Sequence, residues 1–149
     1  MAEAIILVGL QGAGKTTYYN QHFAATHEHI SRDVLGTAER ETARIRECLA
    51  SDRSFVLDNT NRKRAARALQ IAQAKAAGFR VVAVFFDTPV RTAIGRNNHR
   101  KDKKPIPVPA ILRAAKYIEP PKLEEGFDDV HVIKPEPDTA GSVPRENTR

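Results

Sequence analysis

Ala4-Ile5-Ile6-Leu7-Val8 runs directly into Gly9-Leu10-Gln11-Gly12-Ala13-Gly14-Lys15-Thr16-Thr17. The first five residues are apolar in succession, as in a strand buried on both faces of a parallel sheet. The next nine have the spacing G-x-x-x-x-G-K-[ST] of a phosphate-binding loop, and a helix-compatible stretch follows from Lys15. Glycines let such a loop curl so that its N–H groups converge on phosphate oxygens. A lysine at position 15 reaches the β and γ phosphates, and a hydroxyl at position 16 suits Mg²⁺. Gly9, Gln11, Gly12, Ala13, Gly14, Lys15, Thr16 and Thr17 are therefore the expected nucleotide-binding residues. ATP or another nucleoside triphosphate is the expected ligand, with Mg²⁺ on Thr16.

Working outward, apolar runs predict strands over residues 4–8, 29–31 (weakly), 54–58, 80–87 and 129–133. Helical spacing marks 15–25, 34–50, 63–77, 90–98 and 108–119, with Gly78 placed to end the third helix and Pro89 to begin the fourth. This β-α alternation predicts a five-stranded parallel sheet between two helical layers, a three-layer α/β sandwich. Residues 1–134 read as one domain. Residues 135–149, with Pro135, Pro137, Gly141 and Pro144, read as a flexible C-terminal tail.

Composition narrows the class. No run of 18 apolar residues predicts a membrane span, and the start lacks the basic, long apolar leader of a secreted chain. A single cysteine, Cys48, rules out an internal disulfide and fits a reducing, cytoplasmic setting; within a helical stretch it reads as a structural thiol. The net charge of +6 is bunched into two groups: Arg62, Lys63, Arg64 and Arg67, then Arg96, Arg100, Lys101, Lys103 and Lys104. Beside a nucleotide site, such groups favour a phosphate-rich second substrate. The low aromatic content, 6%, favours phosphate contacts over extensive base stacking.

In an open parallel sheet, ligands bind beyond the carboxyl ends of the strands. Asp33 follows the second strand and suits both a first-turn acid of a helix and a base that takes a proton from an attacking hydroxyl. Arg32 beside it is expected to contact phosphate. Asp58-Asn59-Thr60-Asn61 closes the third strand, where Asp58 suits either a magnesium-bound water or the turn itself. Arg67, downstream, is expected to point back toward the acceptor. Arg96 and Arg100, four apart, would share a helix face as a basic lid closing on the triphosphate. His22, His27 and His29 lack the cysteine or tight acid pattern of a metal site and read as surface histidines.

Ser31-Arg32-Asp33-Val34-Leu35-Gly36, Asp58-Asn59-Thr60-Asn61 with Arg67, Arg96-Asn97-Asn98 with Arg100, and Glu119-Pro120-Pro121-Lys122-Leu123-Glu124-Glu125-Gly126-Phe127 stand in that order along the chain. Together with the phosphate-binding loop they resemble the kinase module of polynucleotide 5′-hydroxyl kinases, the P-loop half of polynucleotide kinase-phosphatases. The resemblance runs from about residue 5 to residue 133. It implies an adenylate-kinase-like P-loop kinase fold with a lid. It also implies Asp33 as the base that activates a 5′-hydroxyl of DNA or RNA, with Lys15, Arg96 and Arg100 acting on the ATP phosphates. Arg32, Asp58, Asn59, Asn61 and Arg67 would then shape the acceptor side.

Where the phage branch carries an acceptor-contacting arginine three residues after the base, this chain has Gly36, as in the eukaryotic branch. No D-x-D-x-T phosphatase signature is present. A separate phosphatase or ligase is thus an expected partner. Two other readings share the loop: a kinase of a small hydroxyl compound such as a nucleoside or sugar, and a nucleic-acid-binding subunit that uses ATP as a switch.

Overall fold

Alternation along the first strand sets the layers. In the computed structural model, which describes residues 1–98, 106–134 and 145–148, β1 (Glu3–Val8) is almost wholly buried. Its Ala4, Ile6 and Val8 face one helical layer, and Ile5 and Leu7 face the other, the two-residue period of a pleated strand. Helix α1 (Lys15–His22) covers the second face with Tyr18 and Tyr19. On the opposite face lie α3 (Ala38–Ala50), through Ile45 and Cys48, and α4 (Arg64–Ala76), through Ile71 and Ala74. A third apolar cluster joins Leu10 to Ala93 of α5 (Val90–Asn98) and to Ile111 and Ala114 of α6 (Val108–Tyr117).

The remaining strands are β2 (Glu28–Ser31), β3 (Phe55–Asp58), β4 (Arg80–Phe86) and β5 (Asp129–Lys134), and the sheet runs β2-β3-β1-β4-β5 with all five parallel. This is the architecture expected from the sequence. With β1 between β3 and β4, the phosphate-binding loop and the turn after β3 emerge side by side at one edge of the sheet. The parallel register brings Ser31 level with Asp58, and Asp58 level with Leu7.

Three details depart from the sequence reading. The helix expected over 34–50 is two: α2 (Arg32–Leu35) ends at Gly36, whose φ of 87° breaks the run, and the Thr37 hydroxyl caps α3 by accepting from the Arg40 amide. Helix α1 stops at His22 rather than near residue 25. Residues expected in the tail form a sixth strand, β6 (Arg145–Thr148), antiparallel to β5 at the sheet edge. The rest of that tail, residues 135–144 and 149, lies outside the described residues.

Candidate active site

A cleft of about 420 Å³ opens where β1, β2 and β3 end. One wall is the phosphate-binding loop from Gln11 to Thr17, with Asn20; the second is Ser31, Arg32 and Asp33; the third is Asp58, Asn59 and Thr60; Arg96 of α5 closes the rim. Most residues expected from the sequence to act on nucleotide and acceptor are thus brought together.

The loop has the strained backbone that its glycines permit. Gly12 sits at φ 81°, and a Cβ there would meet the Ala93 carbonyl of α5 at 2.4 Å. Helix α5 therefore lies directly on the loop, and it carries Arg96 over the site: the Arg96 guanidinium comes within 3.3 Å of where a Gly14 Cβ would stand. The loop is also tied to the turn after β3, because the Gly9 amide donates to the Thr60 carbonyl and Gln11 Nε2 donates to Thr60 Oγ1.

Lys15 is buried and folds back on its own loop, donating from Nζ to the carbonyls of Gly9 at 2.6 Å and Leu10 at 3.3 Å. Burial lowers its pKa to about 8, against the opposing pull of the Asp58 and Asp33 charges. Asp33 is close enough to act on Lys15 across the cleft while itself exposed. It stands in the first turn of α2, where Ser31 Oγ accepts from the Val34 amide as the cap. Both roles read from the sequence, first-turn acid and cleft-facing carboxylate, are compatible with this placement.

Asp58 is the hub of the third wall. Thr16 Oγ1 donates to its Oδ2 at 2.9 Å, and His29 Nε2 donates to the same oxygen at 2.7 Å. Burial acts to raise the Asp58 pKa, but the His29 hydrogen bond, the Lys15 charge and the Thr16 hydroxyl outweigh it and hold the carboxyl below its ordinary value. His29 is thus no surface histidine: it is half-buried and stacks on Tyr19 with ring centroids 4.1 Å apart. Period-two alternation places His29 and Ser31 on one face of β2, beside Val56 and Asp58 of β3. No local pattern signals this, because it depends on the pairing of two distant strands.

Glu41 is a second residue the sequence reading missed. Buried on α3, it takes a hydrogen bond from Asn59 Nδ2 and an ion pair from Arg32 Nε at 3.4 Å, joining two cleft walls. Its signal was legible: Glu41, Ile45 and Cys48 lie on one helical stripe, and an acid on an apolar stripe needs a partner.

Two expected acceptor-side residues stand elsewhere. Arg67 is fully buried; it forms a two-pronged ion pair with Glu125, Nε to Oε1 and Nη2 to Oε2 both at 2.9 Å, and donates to the Asn61 carbonyl. It points into the fold rather than toward an acceptor, because Glu125 supplies the charge that its burial demands. Asn61 is buried too, with Nδ2 donating to the Leu7 carbonyl at 2.7 Å, so it fastens the ends of β1 and β3 and does not line the cleft. Arg100, with the basic run that follows it, lies outside the described residues.

A family model described as an AAA domain matches residues 36–121. The chain belongs to this family. The match begins at Gly36, so the phosphate-binding loop and Asp33 are observations independent of it. Among curated proteins, the chain is 27% identical over 138 residues to a putative bifunctional polynucleotide phosphatase/kinase of Acanthamoeba polyphaga mimivirus. It is 25% identical over 144 residues to a bifunctional polynucleotide phosphatase/kinase of Schizosaccharomyces pombe. Each comparison covers 88% of this chain and 33% of the relative, so the chain spans about a third of their length. Among solved structures, a gluconokinase from Sinorhizobium meliloti 1021 superposes with a TM-score of 0.65 at 20% identity, covering 89% of this chain and 82% of that one. That likeness shows the fold, which is the P-loop kinase fold implied by the sequence.

The donor set suits a triphosphate with Mg²⁺. The loop offers a lysine and glycine-rich backbone to phosphate, and the wall beside it offers a hydroxyl and an ionised carboxylate, hard oxygen donors of the kind Mg²⁺ takes alongside phosphate and water. Gln11 Oε1 is buried without a hydrogen bond among the described residues, an acceptor left over at the loop. No helix among the described residues is long and apolar enough to cross a membrane.

Proposed function

We propose that the chain transfers the γ phosphoryl group of ATP to a 5′-hydroxyl end of DNA or RNA. The observation that carries this reading is Asp33: an exposed carboxylate on the wall facing the phosphate-binding loop, electrostatically coupled to Lys15 across the cleft. The curated relatives' names supply the substrate class, and the basic residues beside the cleft are compatible with it.

Each residue then has a task. Lys15 leaves the Gly9 and Leu10 carbonyls for the β and γ phosphates, and Arg96 above Gly14 stabilises charge as the phosphoryl group moves. Thr16 and Asp58 would hold Mg²⁺, which would supply positive charge to neutralise the phosphates. Asp33 accepts the proton of the 5′-hydroxyl as its oxygen bonds to phosphorus and the bond to the β-phosphate oxygen breaks. Arg32 and Asn59, linked through Glu41, line the acceptor side.

The test is transfer of labelled γ phosphate to matched 5′-hydroxyl DNA and RNA oligonucleotides, with nucleosides and sugars alongside. Asp33→Asn is expected to lower kcat by about two to four orders of magnitude while ATP affinity stays near wild type. Label confined to a sugar or nucleoside would replace the acceptor class with a small hydroxyl compound. Near-normal turnover in Asp33→Asn would remove Asp33 as the base.

A further inference from the structure

The basic group expected near residue 62 is divided by the fold. Arg67 is consumed by Glu125, and Arg64 pairs with Glu124. Arg62 and Lys63 remain, with no carboxylate partner among the described residues. They sit at the start of α4, two to four residues beyond Asn59 and Thr60 of the cleft wall, a chain distance of at most about 14 Å.

The end of α6 meets them there. The Glu119 amide donates to the Arg62 carbonyl at 2.7 Å, which fixes the last turn of α6 against the β3–α4 connection. That turn presents Tyr117, a large aromatic residue that is nonetheless 45% exposed. Lys63 Nζ lies 4.9 Å from the centre of this ring, and Lys116 Nζ lies 5.4 Å from it. A half-exposed tyrosine with two ammonium groups over its ring, tied to the connection that follows the cleft wall, has the two elements that bind a single strand: a ring on which a base stacks once it displaces an ammonium, and charges that then meet the neighbouring phosphates.

We propose that Tyr117, with Lys63, Lys116 and Arg62, forms a stacking subsite for a base of the single-stranded acceptor downstream of its 5′ end. The proposal rests on the polynucleotide reading above and adds to it a second point of attachment, beyond the reacting end. A dinucleotide is too short to use it, whereas a longer strand leaves the cleft across Arg62 and Lys63 and stacks on Tyr117. The arrangement also explains how a chain with few aromatic residues can hold a strand by one well-placed ring.

Two measurements test the subsite. The first compares KM for a 5′-hydroxyl dinucleotide and for a single strand of about ten nucleotides, in wild type, Tyr117→Ala and Tyr117→Trp. Stacking is worth about 1–3 kcal/mol per base, so Tyr117→Ala is expected to raise KM for the long acceptor about fivefold to a hundredfold more than for the dinucleotide, and Tyr117→Trp to restore the preference. The second is binding of a labelled single strand without ATP, read by fluorescence anisotropy.

An equal effect of Tyr117→Ala on both acceptors, or none on either, overturns the subsite and leaves the polynucleotide reading intact. No transfer to any oligonucleotide, with binding still dependent on Tyr117, overturns the reaction and keeps the subsite. Failure of both transfer and binding removes both. Because Tyr117 is exposed at a helix end, its replacements are expected to melt with the wild type, which a thermal scan checks.

Discussion

Lys15 shows how one side chain couples charge, stability and ligand. In the unfolded chain its amine holds a proton up to about pH 10.5, while burial in the fold brings the release down to about 8. Between those values the unfolded state binds more protons, so this residue's contribution to stability rises with pH across that window, and below it the buried charge is a fixed cost. A triphosphate reverses the local balance by favouring the charged amine. ATP binding at about pH 9 is therefore expected to take up most of a proton, and affinity to weaken as pH rises through 8. Calorimetry in two buffers of different ionisation enthalpy measures this directly; wild type and Lys15→Met showing the same proton uptake would exclude Lys15 as its source. Asp58 and His29 make a related point. A carboxylate taken from water survives as an anion because two hydrogen bonds and one amine outweigh desolvation.

Among the elements, the turn Leu123–Glu125 and helix α4 are joined by the Arg67–Glu125 pair. Both side chains are at most 2% exposed, and the pair is satisfied further by the Asn61 carbonyl and the Lys122 amide. Removing one partner leaves a buried charge uncompensated, at a cost of about 3–5 kcal/mol. Arg67→Met is expected to lose stability of that order in urea unfolding, and Arg67→Met with Glu125→Leu to recover part of it. A normally stable Arg67→Met with a raised acceptor KM would instead return Arg67 to the acceptor side. The sequence pattern singled out Arg67 and the Glu-Gly-Phe stretch separately. Their pairing across 58 residues explains both, and assigns them to the scaffold rather than to the chemistry. Helix α5 shows the opposite case: its contact with Gly12 turns a basic helix, read only as a flap, into the element that fixes Arg96 over the loop.

For the whole molecule, the net charge of +6 matters through where its unpaired part stands. Arg44, Arg53, Arg64, Arg67, Lys75 and Arg80 are all engaged by carboxylates, while Arg62 and Lys63, half-buried a few residues beyond the cleft wall, have no carboxylate partner among the described residues. Long-acceptor affinity is accordingly expected to fall with salt. Arg62→Gln with Lys63→Gln is expected to flatten the slope of log K against log salt by about one to one and a half, at about 0.7 per phosphate contact on a single strand. An unchanged slope, measured by anisotropy across a salt series, would place the strand elsewhere.

What the sequence determined by itself was local and repetitive. Apolar runs and their spacing specify β1 to β5 and the helices between them, and the glycine-lysine-threonine spacing specifies the phosphate-binding loop, because each depends on neighbours within a few residues. The carboxyl ends of strands told where Asp33 and Asp58 would converge, since a parallel sheet places all those ends at one edge. Only the tertiary structure decided the partners of charge. His29 reached Asp58 through the β2–β3 register, Glu41 joined Arg32 to Asn59, and Arg67 turned inward to Glu125. A side chain's charge is written in the sequence. Whether that charge faces a substrate or a buried counter-charge depends on segments dozens of residues away, and on the desolvation that packing them together imposes.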